Sequence, residues 1–271
     1  MQTRNVETPA AQASSSFRMV KWYMDCVTEE GEVAILYCAD LGWRGVHAKF
    51  SSVLASDGDV IGTRSSMARY GLDVSGDRVL VEFPRLKVSG CWEAEGATPV
   101  EHTVYENAAG SVVWNCLQPR SKARVRIGER ELRGLGYAEC LTLTLPPWQL
   151  PMRQLRWGRF VSPEDAVAWI DWQGPYSMSF ATHNGRQSKL LSVTETEVEL
   201  SDAILRMEPG LSLRAGRVGS TILPGAPALG RLLPHSLFNI EEQKWRSRGS
   251  LRAGEHESHG WVIHEVVHWK V

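Results

Sequence analysis

Little in this chain belongs to the common motif-bearing enzymes. Gly-x-Ser-x-Gly, His-Glu-x-x-His, Gly-x-Gly-x-x-Gly and Walker patterns are all absent. Hydrolase, zinc-protease, dinucleotide and nucleotide-triphosphatase readings therefore have no sequence support. Neither sign of charge dominates: 30 Lys and Arg face 31 Asp and Glu, for a net charge of -1 and an isoelectric point near 6.7. Without a basic run, neither nucleic acid nor anionic lipid is an expected partner. No stretch approaches the roughly 18 apolar residues of a membrane span, and residues 1–16 hold no apolar signal core, so they read as a flexible lead-in to a soluble chain. Cysteine is sparse and odd in number. Cys26, Cys38, Cys91, Cys116 and Cys140 sit in apolar strand-like runs without a CxxC pair, as buried reduced thiols do, which favours a cytoplasmic setting. Amphipathic helix is nearly missing too; Leu237 to Lys244 is the single stretch that reads as one.

What the sequence has in quantity is tryptophan on short alternating segments, eleven in 271 residues. In Gly136–Leu145, period-two alternation puts Tyr137, Glu139, Leu141, Leu143 and Leu145 on one face and Ala138, Cys140, Thr142 and Thr144 on the other. Glu139 is the one charge on an otherwise apolar face. The closing segment repeats the arrangement: Trp261, Ile263, Glu265, Val267 and Trp269 share one face, Val262, His264, Val266 and His268 the other. An acid held among aromatic side chains is placed to donate a proton.

Strand-like runs bounded by turn signals fill most of the chain. Glu29-Glu30-Gly31, Ser75-Gly76-Asp77, Gly128-Glu129-Arg130 and His183-Asn184-Gly185 sit beside alternating segments as hairpin loops do. The segment Leu145-Pro146-Pro147-Trp148-Gln149-Leu150-Pro151 interrupts the pattern, since proline cannot join a central ladder. The expected fold is therefore all-β, with one domain over 17–150 and a second over 151–271. Each is the size of a small closed antiparallel barrel that can enclose one ligand; an open sandwich is the alternative.

Several segments resemble the carotenoid 1,2-hydratases, or hydroxyneurosporene synthases. The stretch Trp22 to Cys38 (WYMDCVTEEGEVAILYC) is similar to their first hairpin, with an aromatic-rich strand, an Asp, an acidic turn ending in Gly and an apolar strand. Ser111 to Ile127 (SVVWNCLQPRSKARVRI), followed by GLGYAE (Gly134–Glu139), resembles their aromatic strand, Pro-containing turn, basic strand and Gly-Tyr-x-acid motif, and LRWGRF (Leu155–Phe160) their next strand. From Glu139 on the two diverge: the family continues with Asp, Asn and Gly, this chain with Cys140-Leu141-Thr142-Leu143. The resemblance implies two consecutive lipocalin-like (calycin) β-barrel domains, as in the AttH-like proteins and the lipocalin-like Diels-Alderases. It also implies activity on apolar polyenes or terpenoids without a cofactor.

Protonating an alkene needs an acid that stays neutral near pH 7, and burial in an apolar pocket raises a carboxyl pKa. Glu139, Glu265 and Asp171 are the candidate catalytic acids. Each has a structural alternative: an ion pair with Arg156 or Arg159 or a bond to Tyr137 for the glutamates, a turn cap beside Gln173-Gly174-Pro175 for Asp171. Trp22, Asp25, Trp114, Asn115, Tyr137, Trp157, Trp169 and Trp261 are the candidate substrate-binding residues, with solvation on the Lys21 and Tyr23 face as the alternative for Asp25. Indole faces suit a carbocation, at about 0.5 to 2 kcal/mol per contact. No metal is expected: His264 and His268 lie about 13 Å apart on an extended strand, too far to share an ion. The function expected is a cofactor-independent lyase or isomerase that binds a hydrophobic small molecule and catalyses cyclisation, isomerisation or hydration. A pericyclic cyclase working by substrate folding and a non-catalytic lipocalin-like carrier are the alternatives.

Overall fold

The computed structural model describes residues 17–217 and 240–269, so the lead-in expected over residues 1–16 lies outside them. Strand dominates, and among the described residues helix is limited to two 3-10 turns, Pro84–Leu86 and Pro147–Gln149. The first ten strands are β1 (Phe17–Val27), β2 (Val33–Trp43), β3 (Val46–Asp57), β4 (Val60–Ser66), β5 (Gly71–Ser75), β6 (Arg78–Phe83), β7 (Val88–Ala94), β8 (Val100–Asn107), β9 (Gly110–Ile127) and β10 (Arg130–Leu143). After the proline segment come β11 (Gln154–Val161), β12 (Ala166–Gln173), β13 (Met178–His183), β14 (Arg186–Ser188), β15 (Leu190–Val193), β16 (Glu197–Leu200), β17 (Ile204–Met207), β18 (Leu211–Arg217), β19 (Glu241–Ala253) and β20 (His256–His268). The amphipathic helix expected up to Lys244 is corrected where it is described: Glu241 to Lys244 open β19 and pair with Glu265 to His268 of β20. Cross-strand partners on both sides decide that segment, and they overrode its local pattern.

The strands form two ten-stranded antiparallel sheets of the same topology. The first runs β4-β3-β2-β1-β10-β9-β7-β6-β5 with β8 added on β9, and the second runs β14-β13-β12-β11-β20-β19-β17-β16-β15 with β18 added on β19. First strand pairs with last in each, which curls the sheet on itself, but β4 and β5, like β14 and β15, remain path ends. This is the all-β, lipocalin-like arrangement expected, one sheet being nearly closed as a barrel. Pro119 does not separate two strands as its turn signal suggested. It lies inside β9, where the register slips beside Ala138 and Glu139, and a bulge is where a ladder tolerates a proline.

The two halves share more than strand order. Gly128 and Gly254, both with positive φ, begin the β9–β10 and β19–β20 turns. Glu139 and Glu265 each stand eleven residues further on. Gly134 and Gly260 are equivalent in the same way. A Cβ on the first would collide with the Val27 carbonyl at the end of β1, and on the second with the Val161 carbonyl at the end of β11. Glycine at both positions lets the crossing strands come that close.

Apolar residues divide into three clusters because each sheet buries both faces. One fills the first sheet's interior, around Met24, Leu36, Phe83 and Trp92, with Trp22 against it. Another fills the second, around Phe160, Trp169, Leu205 and Val262. The third lies between the sheets and draws Tyr23, Trp114 and Tyr137 from one half and Trp157, Trp172 and Ile263 from the other. At its base lies an ion pair. Asp25 of β1 pairs in register with Tyr137, and Arg159 of β11 with Ile263, so acid and base occupy equivalent positions of the two halves. The Asp25 oxygens accept from Arg159 Nη2 at 2.6 Å and Nε at 2.9 Å, and Tyr23 adds its hydroxyl at 2.8 Å. Arg159 Nη1 donates to the Trp261 carbonyl at 2.7 Å. Both side chains are sealed, at 0% and 1% exposure, so Asp25 is a structural group and neither a solvated nor a cavity residue.

Removing one partner of such a pair leaves a buried charge uncompensated, at a cost of about 3–5 kcal/mol. Asp25→Asn should therefore shift the urea unfolding midpoint down by that amount of stability, and an unchanged midpoint would contradict the role given to the pair.

Candidate functional site

A cavity of about 410 Å³ opens in the inter-sheet cluster. Its walls are apolar and aromatic, with Trp114, Trp148, Trp157, Trp172, Leu141 and Leu155 among them, and its charged groups are Glu139, Lys21, Arg214, Glu242, Lys244 and Glu265. That composition suits an apolar ligand held by a small number of polar contacts. A second hollow of about 620 Å³ lies over Leu80, Cys91 and Arg124 of the first sheet, but Asp73, Glu82, Arg124 and Arg126 around it are exposed and solvated.

Glu139 stands on β10 with Leu141 and Leu143, and all three face the cavity as the alternation requires. Three donors converge on one carboxyl oxygen, Oε2. Trp114 Nε1 makes a short bond, the Tyr137 hydroxyl lies at 2.7 Å, and Trp157 Nε1 reaches across from β11 at 3.2 Å. No donor among the described residues reaches Oε1. Burial raises the Glu139 pKa above the ordinary glutamate value and outweighs the opposing pull of Trp114, Tyr137, Lys21 and Trp157. A proton on this carboxyl therefore belongs on Oε1, because Oε2 is already filled with donors.

Glu265 occupies the equivalent place on β20 and has the opposite character. Its cross-strand partner is Lys244, with which it forms a short ion pair, where Glu139 has Cys116. Burial pushes the Glu265 pKa up, but Lys244, Lys21 and Arg214 pull it below the ordinary value, so this carboxyl is ionised. Lys244 extends the network to Glu242 at 3.8 Å, and Glu242 meets Arg214 at 3.4 Å. The Lys244 ammonium lies 5.3 to 5.8 Å from the Trp157, Tyr23 and Tyr37 ring centroids, and Glu265 and Glu242 hold its pKa above the ordinary lysine value against burial. Tyr37 Oη and Trp269 Nε1, also at the cavity wall, are buried without a partner among the described residues.

Of the residues singled out from sequence, the structure brings Glu139, Glu265, Trp114 and Trp157 to the cavity, with Tyr137 directly behind Glu139. The others lie elsewhere. Asp171 sits at the sheet's outer end, bonded to Ser179 at 2.7 Å and Gln173 at 2.7 Å, and is corrected from candidate acid to a local cap. Trp22 and Trp169 point into the sheet interiors. Trp261 is flanked by Arg246 and Arg248, and Asn115 is half-buried and donates to Glu101. Sequence reasoning missed Lys244, Glu242 and Arg214. The repeat GERELRG (Gly128–Gly134) and GEHESHG (Gly254–Gly260) was the signal that could have found Lys244, since it aligns the two halves and makes the partner of Glu265 the one to look for. Among the described residues one group has metal-ligand spacing, Glu164, Asp165 and His256. Asp165 there already accepts from Ser258 at 2.6 Å, His256 at 2.8 Å and Asn184 at 2.9 Å, so the group reads as a hydrogen-bonded corner.

No family model matches the sequence, and no curated protein matches it. Solved structures do. CghA with Sch210972 superposes with a TM-score of 0.62 at 10% identity, over 94% of this chain and 89% of that one. Kievitone hydratase from Nectria haematococca gives 0.58 at 10% identity over 93% and 90%, and an AttH-type protein from Nitrosomonas europaea 0.56 at 10% over 96% and 95%. Two sheets of repeated topology, packed over nearly the full length of these neighbours, give this chain the double lipocalin-like fold of the AttH-like proteins.

Proposed function

We propose that the protein is a cofactor-independent lyase or isomerase, working in a reducing cytoplasmic setting, that carries an apolar unsaturated terpenoid or polyene through acid-assisted cyclisation, isomerisation or hydration. Residues 17–150 and 151–271 are its two lipocalin-like domains, and the cavity at their junction is the site. Glu139 is the acid. The observation that carries this reading is the gathering of three donors on Glu139 Oε2 in an apolar cavity, which leaves Oε1 as the oxygen to carry the acidic proton. Trp114, Trp148 and Trp172 supply faces that attract a developing cation. A hydratase among the structural neighbours supports an enzyme over a simple carrier.

Mass spectrometry of the apolar compound that co-purifies with the protein identifies the ligand for turnover. With that compound, Glu139→Gln should keep binding while turnover falls by about 10² to 10⁴, the usual contribution of a positioned general acid. Full activity in the variant would transfer catalysis to cavity shape alone, and binding without turnover in the native protein would leave a carrier. Activity should fall as pH rises through the elevated Glu139 pKa, because the carboxylate has no proton to give.

Stability follows the same sign. A carboxyl whose folded pKa lies above its unfolded value contributes stability below the ordinary glutamate range and loses it as pH rises through the folded value. Glu139→Gln, which cannot ionise, should thus gain thermal stability relative to the native protein on the alkaline side. A constant difference between the two at all pH values would contradict a raised pKa.

A further inference from the structure

Glu139 and Glu265 face one cavity from equivalent strands, and Trp157 stands between them. Trp157 pairs in register with Glu265 and donates its indole N–H to Glu139. The surroundings of the two carboxyls have been driven apart by a few replacements. Where Glu139 has Cys116 across the strand, Glu265 has Lys244, and where Glu139 has Tyr137 two residues before it, Glu265 has Ile263. Two carboxyls at one site, with the pKa pushed up in one and down in the other, are the usual mark of an acid and a base.

Exposure tells which member of the charged cluster a ligand meets. All four line the cavity, where Lys244 is 2% exposed, Glu242 and Arg214 are each 8% exposed and Glu265, the most accessible of the four, is 15% exposed. We infer that Glu265 is the catalytic base that ends the reaction Glu139 begins, taking a proton from a carbon next to the cationic centre. This rests on Glu139 being the acid.

The step balances without a co-reactant. The Glu139 Oε1–H bond breaks as a C–H bond forms at one alkene carbon, and the positive charge falls on the other. A neighbouring C–H bond, or one reached after ring closure, gives its proton to Glu265 and its electron pair to a new double bond. Substrate and product are isomers. Glu139 is left anionic and Glu265 neutral, and a proton returned from Glu265 to Glu139 through water after product release restores both. A lysine-paired carboxylate is a weak base, but protons beside a carbocation are acidic enough to need no stronger one.

N,N-dimethyldodecylamine, cationic at pH 7, mimics the intermediate, and 1-dodecanol is a neutral probe of similar length; quenching of cavity tryptophans reports both. In Glu265→Gln the ammonium should bind about tenfold more weakly or worse while dodecanol stays within about twofold, since a charge facing the cation has been lost. In Glu139→Gln both probes should bind within about twofold of the native protein, because that carboxyl carries no charge to lose. Unchanged ammonium affinity in Glu265→Gln, or no ammonium binding by the native protein, overturns the base assignment. Ammonium weakening in Glu139→Gln shows instead that Glu139 is ionised, which sinks the acid and the base that depends on it. If Glu265→Gln also loses dodecanol, the pair removal Lys244→Met with Glu265→Gln, which keeps the cluster's charge balance, decides by the same comparison of the two probes.

Discussion

Everything at the site depends on how the carboxylate of Asp25 and the guanidinium of Arg159 meet between two sheets that share no strand. A buried pair of this kind gains little over an apolar substitute, yet it is intolerant of error, since either charge alone is stranded. That intolerance fixes the alignment of β1 with β11, and hence of β10 with β20, which flank them. The Arg159 bond to the Trp261 carbonyl and the Trp92 indole bond to the Asp25 carbonyl at 2.6 Å extend the constraint into both sheets. Tyr23, which donates to Asp25, lines the inter-sheet cavity and ties it to this joint.

A repeated fold gives two equivalent places for a carboxyl, and the chain uses them in opposite ways. In the first half the carboxyl meets uncharged hydrogen-bond donors, with Lys21 the one charge that lowers its pKa, so burial dominates and the pKa rises. In the second half an ammonium stands opposite, and its attraction outweighs the same burial. The difference is a matter of magnitudes: an ion pair in a site of low dielectric is worth more than three neutral hydrogen bonds against a comparable desolvation cost. Cys116 at the position of Lys244 is therefore as much a part of the first site as Trp114 is. A lysine there would pull the Glu139 pKa down.

Much of this was legible in the sequence, for identifiable reasons. Period-two alternation placed Glu139 with Leu141 and Glu265 with Val267, and the prolines at 146, 147 and 151 fall between Leu143 of β10 and Gln154 of β11. Alternation could not say which face meets the cavity, because both faces of each sheet are apolar. Trp22 and Trp169 were assigned to a site and belong to the sheet interiors for that reason. Arg159 lies 134 residues from Asp25, beyond any local pattern. Lys244 was hidden by a helical reading of its segment that only the neighbouring strand overrides.

The protonation state of Glu139 carries the whole account, and infrared spectroscopy reads it directly. At neutral pH the native protein should show the C=O stretch of a protonated carboxylic acid, and the Glu139→Gln minus native difference spectrum should contain that band as a loss, shifting to a carboxylate band as pH is raised. A native spectrum with no protonated-carboxyl band at neutral pH, or one whose band survives in Glu139→Gln, would contradict it.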